Sequence, residues 1–206
     1  MRYYSYKIEH DYGLAPNPFG QYCTLVVCKP TIRNNKNLEI ADWIIGTGSV
    51  KLGNAFHLIF AMQLEEKITL NEYWADPRFE YKKPVINGSL VQMYGDNFYH
   101  QDPDTNEWIQ ENSAHSMEGG IPNEKQVETD KGGKYALISQ NFCYLGDESV
   151  LIPDEYRAVC SEGRGMKGPG IPIDIGDAFI LWIKNNFHAG IHGDPISWRE
   201  HLMNKD

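Results

Sequence analysis

The stretch from Asp42 to Glu66 holds two apolar runs, Trp43 to Ile45 and Leu58 to Leu64, on either side of a connection rich in Gly, Ser and Asn. Apolar runs of this length bounded by turn formers read as two buried strands, and the Gly-rich join lets backbone approach a ligand closely. Thr47 and Ser49 in this join are therefore candidate ligand contacts, with Lys51 just beyond.

The rest of the chain supplies elements around this pair. Arg2 to Glu9 alternates weakly and is rich in Tyr, which predicts a first strand. Asp11 to Gly20 carries two prolines and two glycines and reads as a loop, with Asn17 and Phe19 offering an amide and a ring. Tyr22 to Arg33 reads as one long strand, with Thr24, Val26 and Cys28 on one face and Cys23, Leu25, Val27 and Lys29 on the other. Cys23 and Cys28 then point apart, so a zinc site built on both is rejected. Lys29, Arg33 and Lys36 form a small basic run, suited either to phosphate or to a solvated strand end.

Thr69 and Glu72 form a capping box that opens a short helix ending before Pro77. Leu90 to Tyr94 alternates and leads into Gly95 to His100, where Asp96, Asn97, Tyr99 and His100 place a carboxylate, an amide, a phenol and an imidazole within five residues. Such a set can orient a ligand or move a proton, and it equally describes a polar strand end. Asp102 to Glu107 reads as a hairpin tip. Gln110 to Lys134 shows no periodic segment and reads as a long loop containing His115. Tyr135 to Ser139 and Phe142 to Leu145 read as short strands, and Ser161 to Pro172 as a Gly-rich loop carrying Arg164 and Lys167 without a P-loop motif. Apolar residues at helical spacing predict a helix over Ile173 to Phe187, and Asp194 with Pro195 predicts the start of a second. His188 and His192 lack further ligands at metal-binding spacing, so no metal site is expected, and no motif calls for a cofactor.

At 206 residues and 41% hydrophobic content, a single domain over the whole chain is expected. The four cysteines fit reduced thiols, and with no apolar span or signal-like N-terminus the expectation is a cytoplasmic protein away from membranes. A net charge of −9 argues against attraction to a phosphate backbone, whereas 12 Tyr, 8 Phe and 5 Trp make stacking on a base available.

The segments Asp42 to Gly46, Ile59 to Leu64 and Tyr73 to Pro77 resemble the PUA-like barrel families that include the ASCH, EVE and YTH domains. Taken with Asp11 to Phe19, Thr24 to Arg33, Asp42 to Ser49 and Tyr94 to His100, the chain resembles the second nucleotide modification associated domain family over most of its length. The resemblance implies an α+β fold, either a PUA-like mixed β-barrel or a strongly curved sheet, with flanking helices and a C-terminal helical pair. It also implies a pocket for a modified base or nucleotide, in bacterial or phage systems that modify DNA or defend against foreign DNA. No aromatic cage and no catalytic set transfers residue by residue. Trp43 and Trp74 are the rings in the relevant region.

Three readings of function stand at this stage. A binding module would take a nucleobase or nucleotide, free or from single-stranded or flipped-out DNA, between the Thr47–Ser49 join, the Asn17–Phe19 loop and the Asp96–His100 segment, with Thr24, Trp43 and Tyr99 alongside. An enzyme acting on a nucleotide would use Asp96 or His100 as acid or base and Lys29, Arg33 or Lys51 to hold phosphate. A docking surface would meet a protein partner from a modification or defence system.

Overall fold

The computed structural model describes residues 1–161, 165–168 and 170–203. In chain order the elements are β1 (Tyr3–Lys7), β2 (Cys23–Leu25), α1 (Pro30–Arg33), β3 (Trp43–Thr47), β4 (His57–Gln63), β5 (Glu66–Thr69), α2 (Leu70–Ala75), α3 (Leu90–Met93), β6 (Tyr99–Gln101), β7 (Trp108–Gln110), α4 (Glu124–Lys131), β8 (Tyr135–Ser139), β9 (Phe142–Tyr144), β10 (Val150–Leu151), α5 (Ile173–Asn186), β11 (Gly190–Ile191) and α6 (Arg199–Met203), with several short 3-10 segments between them.

The largest sheet runs β1-β3-β4-β9-β11, with β10 also paired to β4. β1 lies parallel to β3 and β11 parallel to β9, while β4 runs antiparallel to both of its neighbours, β3 and β9. A second sheet, β2-β8-β5, is antiparallel throughout, and β6 and β7 form a hairpin. None of the three closes on itself, so the barrel expected from the PUA-like resemblance is not formed. Closure would need a hydrogen-bonded join between the outer strands β1 and β11. Instead β1 spends part of its outer edge on a bridge from Ser5 to Lys167.

The main sheet is covered on both faces, and its strands alternate accordingly. Tyr4, Tyr6, Ile44, Phe60, Met62 and Tyr144 face one apolar cluster, together with Leu25 and Leu137 of the second sheet. Tyr3, Trp43, Ile45, Ala61 and Cys143 face the other, against Phe179, Ile180 and Ile183 of α5. The far side of the second sheet packs Ala136 and Ile138 against Tyr73, Phe79, Phe98 and Tyr99. Gly46 in β3 is required by close packing, because a Cβ there would collide with the ring of Phe60.

Local chemistry explains several departures from the sequence reading. The expected strand from Tyr22 to Arg33 is only Cys23–Leu25, because the chain turns at Cys28 and Lys29, with φ of 54° and 43°, and enters α1 at Pro30. Leu90–Met93 is a helical turn held by a Ser89–Gln92 capping box, not a strand. The long loop from Gln110 to Lys134 contains α4, whose N-cap is the Asn123 side chain. The C-terminal helical pair is α5 and α6, with the second preceded by a 3-10 turn over Ile196–Trp198. Arg164 falls outside the described residues. Among the described residues no helix is long and apolar enough to cross a membrane.

Candidate functional site

A cavity of about 760 Å3 opens beside the end of β1 and is lined by Ile8, Glu9, His10, Tyr12, Leu14, Ala15, Cys28, Lys29, Ile86, Met93, Tyr94, Ser113, Ala114, His115, Gln126, Thr129 and His201. This volume falls within the range of small-molecule sites. One wall is aromatic. His10 lies nearly parallel to Tyr12 at 6.1 Å, and Tyr12 nearly parallel to Tyr94 at 5.1 Å. His201 meets both tyrosines edge-on, and its Nε2 lies 2.6 Å from the Tyr94 hydroxyl.

The opposite wall carries the chemistry. Cys28 Sγ lies 3.7 Å from His115 Nε2, and His115 Nδ1 lies 2.7 Å from Asp130 Oδ2. Three separate segments bring these groups together: the turn before α1, the loop after β7, and the C-terminal turn of α4. Each is fixed locally. The Cys28 N–H donates to Asp130 Oδ1 at 2.6 Å. The His115 N–H donates to Ser113 Oγ at 3.3 Å, inside a turn also held by Ser116 Oγ accepting from the Ser113 N–H at 3.0 Å. Asp130 is fully buried and also accepts from the Tyr99 hydroxyl at 3.0 Å, which accepts in turn from Gln110 Nε2 at 2.6 Å.

Behind this trio sits Arg33, fully buried, its guanidinium donating to the carbonyls of Val26, Cys28, Asp130 and Tyr135. Gly133 is required there, since a Cβ would collide with that guanidinium. Burial works to lower the His115 imidazole, but the hydrogen bonds with Asp130 and Cys28 outweigh it and lift the group to about 10. Burial lowers the Lys29 ammonium, which donates to the Lys7 carbonyl at 2.9 Å and lies 4.8 Å from the centre of the Tyr6 ring.

The ligand atoms of Cys28, His115 and Asp130 all lie within 4.8 Å of one another, the one such trio among the described residues. Their order matters. Cys28 addresses one ring nitrogen and Asp130 the other, on opposite edges of the imidazole. The three groups are therefore linked as a chain of hydrogen bonds, from sulfur through imidazole to carboxylate.

The residues expected from sequence are distributed over several places. Lys29 lines the cavity, Arg33 holds the carbonyl of the lining residue Cys28, and Tyr99 stands further back, bonded to Asp130. Asn17, Thr24 and Asp96 belong to a buried network in which Lys82 Nζ donates to Asn17 Oδ1 at 2.7 Å and Thr24 Oγ1 at 3.0 Å, while Thr24 and Tyr73 donate to Asp96 at 2.6 and 2.8 Å. Burial raises Asp96 and lowers Lys82 to about 8. Asn97 is buried and donates to the carbonyls of Tyr73 and Phe79. His100 stacks on Trp74 at 4.2 Å and lies 2.9 Å from Glu111. Phe19 stacks on Trp198 at 5.3 Å, and Trp43 is in the core under α5. Thr47 and Ser49 line a separate cleft of about 70 Å3, and Lys51 pairs with Glu9 at the surface. Among the described residues, the three segments expected to enclose one ligand do not together line either of these two cavities.

Cys28 and His115 stand in the sequence without a spacing that links them, and Asp130 lies in a stretch of polar residues. A usable signal was the length of the loop containing His115.

A family model described as nucleotide modification associated domain 2 matches residues 1–202. The chain belongs to this family. No curated protein and no solved structure matches it. Membership ties the chain to nucleotide modification systems.

Proposed function

We propose that the cavity between the aromatic ladder and Cys28 receives a nucleobase or nucleoside, in a bacterial or phage system that modifies DNA or defends against foreign DNA. The observation that carries this reading is the wall of His10, Tyr12, Tyr94 and His201 facing a cavity in which Lys29 is the one Lys or Arg among the described lining residues. Rings supply a planar ligand with stacking surface at low entropy cost, each base stacked contributing roughly 1–3 kcal/mol. A triphosphate or a duplex would need several cations, and this cavity offers one ammonium already engaged by a carbonyl and one imidazole already paired with a buried carboxylate. A base delivered free, from a single strand, or flipped from a duplex meets these conditions, and a modified base is the class that the family description favours. A partner enzyme or defence protein would then present or consume the bound species.

The experiment is native mass spectrometry and calorimetry with nucleosides, mono- and triphosphates and short single-stranded oligonucleotides, each with and without base modification. The expected result is one equivalent of a nucleoside-class ligand, weakened about tenfold in Tyr94→Ala, the loss of roughly one stacked ring. Tighter binding of triphosphates than of nucleosides, or no binding of any member, sinks the reading.

A further inference from the structure

We infer that Cys28, His115 and Asp130 form a covalent catalytic relay in which Cys28 is the nucleophile, His115 its proton partner and Asp130 the group that orients the imidazole. The inference rests on the reading of the cavity as a nucleoside site, and deepens it from binding to chemistry. The substrate class is a base or nucleoside bearing an sp2 carbon with an amine or alkoxide leaving group.

Three features of the fold converge on this arrangement. Cys28 and His115 both line the cavity in which a ligand would sit, with the sulfur 3.7 Å from the imidazole Nε2. The other three cysteines, Cys23, Cys143 and Cys160, are buried in core clusters. Cys28 occupies the left-handed backbone region, as does Lys29 after it, and neither is glycine. Backbone held in such a region persists where surrounding structure over-determines it, and such residues cluster at active sites. The surrounding structure is explicit here: Asp130 holds the Cys28 N–H and Arg33 the Cys28 carbonyl.

The order of groups is that of an activated nucleophile: sulfur, ring nitrogen, second ring nitrogen, buried carboxylate. A purely structural role accounts for Asp130 through the Cys28 N–H and Tyr99. It does not require the imidazole to turn its second nitrogen to a thiol at the cavity wall.

The chemistry balances without an added cofactor. With the shared proton on His115 Nε2, the Cys28 sulfur attacks the electrophilic carbon and forms a C–S bond. The bond from that carbon to the leaving group breaks, and the leaving group takes the electron pair and the proton from Nε2. Water then gives a proton to Nε2 as its oxygen bonds to the same carbon, and the C–S bond breaks with its electron pair returning to sulfur. The net reaction is hydrolytic displacement of an amine or alcohol, with the relay restored. Asp130 holds Nδ1 throughout and fixes which nitrogen faces the sulfur.

The test uses the full chain and iodoacetamide, with alkylation of each cysteine followed by peptide mass. Cys28 should react ahead of the three buried cysteines and, at about pH 7, faster than N-acetylcysteine amide, the behaviour of a thiol paired with an imidazole. His115→Gln and Asp130→Asn should each slow alkylation at that pH by roughly tenfold or more and shift the profile toward that of N-acetylcysteine amide. An unchanged profile in His115→Gln overturns the relay. Should neither variant fold by circular dichroism, the wild-type profile decides: coincidence with N-acetylcysteine amide overturns the inference. Stoichiometric zinc in the purified protein, with alkylation appearing only after chelation, also overturns it. Protection of Cys28 by added nucleosides reports separately on the cavity. Lost protection with intact His115 dependence removes the proposed ligand and leaves the relay standing.

Discussion

At the scale of single residues, the buried ionisable groups fall into two kinds. Asp96 and Lys82 are enclosed by hydrogen-bond partners and lie away from the cavity, whereas His115 and Asp130 are linked to a thiol on its wall. Asp11 belongs to the first kind and makes a stability prediction. It is 2% exposed, and burial pushes its carboxyl up to about 6 from 3.8, against hydrogen bonds from the Tyr144 hydroxyl and the N–H groups of Ile196 and Gly13. Between those two values the folded chain holds a proton that the unfolded chain releases. Stability from this group is therefore greatest below the unfolded value and falls as pH rises through the window, by roughly 2–3 kcal/mol in all. Asp11→Asn keeps an acceptor for Tyr144 and cannot ionise. Urea titrations should show the variant gaining that amount on the wild type between pH 4 and pH 7. A difference that stays flat across this range would mean that Asp11 ionises as readily in the fold as outside it.

At the scale of elements, the sequence was most legible where local chemistry and periodicity agreed. The β3–β4 pair, the Thr69–Glu72 capping box, the β6–β7 hairpin and α5 all followed from runs, caps or spacing. α1 did not, because an alternating run from Tyr22 to Arg33 gives no warning that two non-glycine residues will take positive φ. The polar surface of α4 hid it as well, since its one fully buried side chain, Asp130, is charged. The site fell between these elements. Asp130 reads as a solvated charge until the fold sets it beside Cys28 and His115, which are distant in sequence. Arg33 tests this coupling of element and site. Its planar guanidinium spans carbonyls from β8, α4 and the turn before α1, which a single ammonium cannot do. Arg33→Lys should cost about 2–4 kcal/mol in chemical denaturation, as buried acceptors lose their donors. It should also slow Cys28 alkylation in the fraction that remains folded. Stability lost with Cys28 reactivity unchanged would show that the arginine braces the fold without positioning the thiol.

At the scale of the whole molecule, charge and cavity chemistry have to agree on one kind of ligand. The chain carries a formal net charge of −9, so its field opposes the approach of a polyanion. The cavity adds no run of cations to offset that field, since Glu9 and Lys29 oppose one another on its described walls. A protein that held nucleic acid by neutralising several phosphates would lose affinity steeply with salt, by roughly a thousandfold or more between 50 and 200 mM for six contacts. A ligand held by stacking releases few counterions, and screening acts weakly within an enclosed site. The affinity for a nucleoside should therefore change by no more than about twofold over that salt range, while any binding of a single-stranded oligonucleotide through one base should show a slope of about one released ion or fewer. Calorimetry at several salt concentrations reads both. A steep slope for the oligonucleotide would place phosphate-binding cations outside the cavity and recast the aromatic wall as an accessory to a backbone-tracking surface. A shallow slope would leave base stacking as the main source of affinity, with the thiol wall positioned to act on what is stacked.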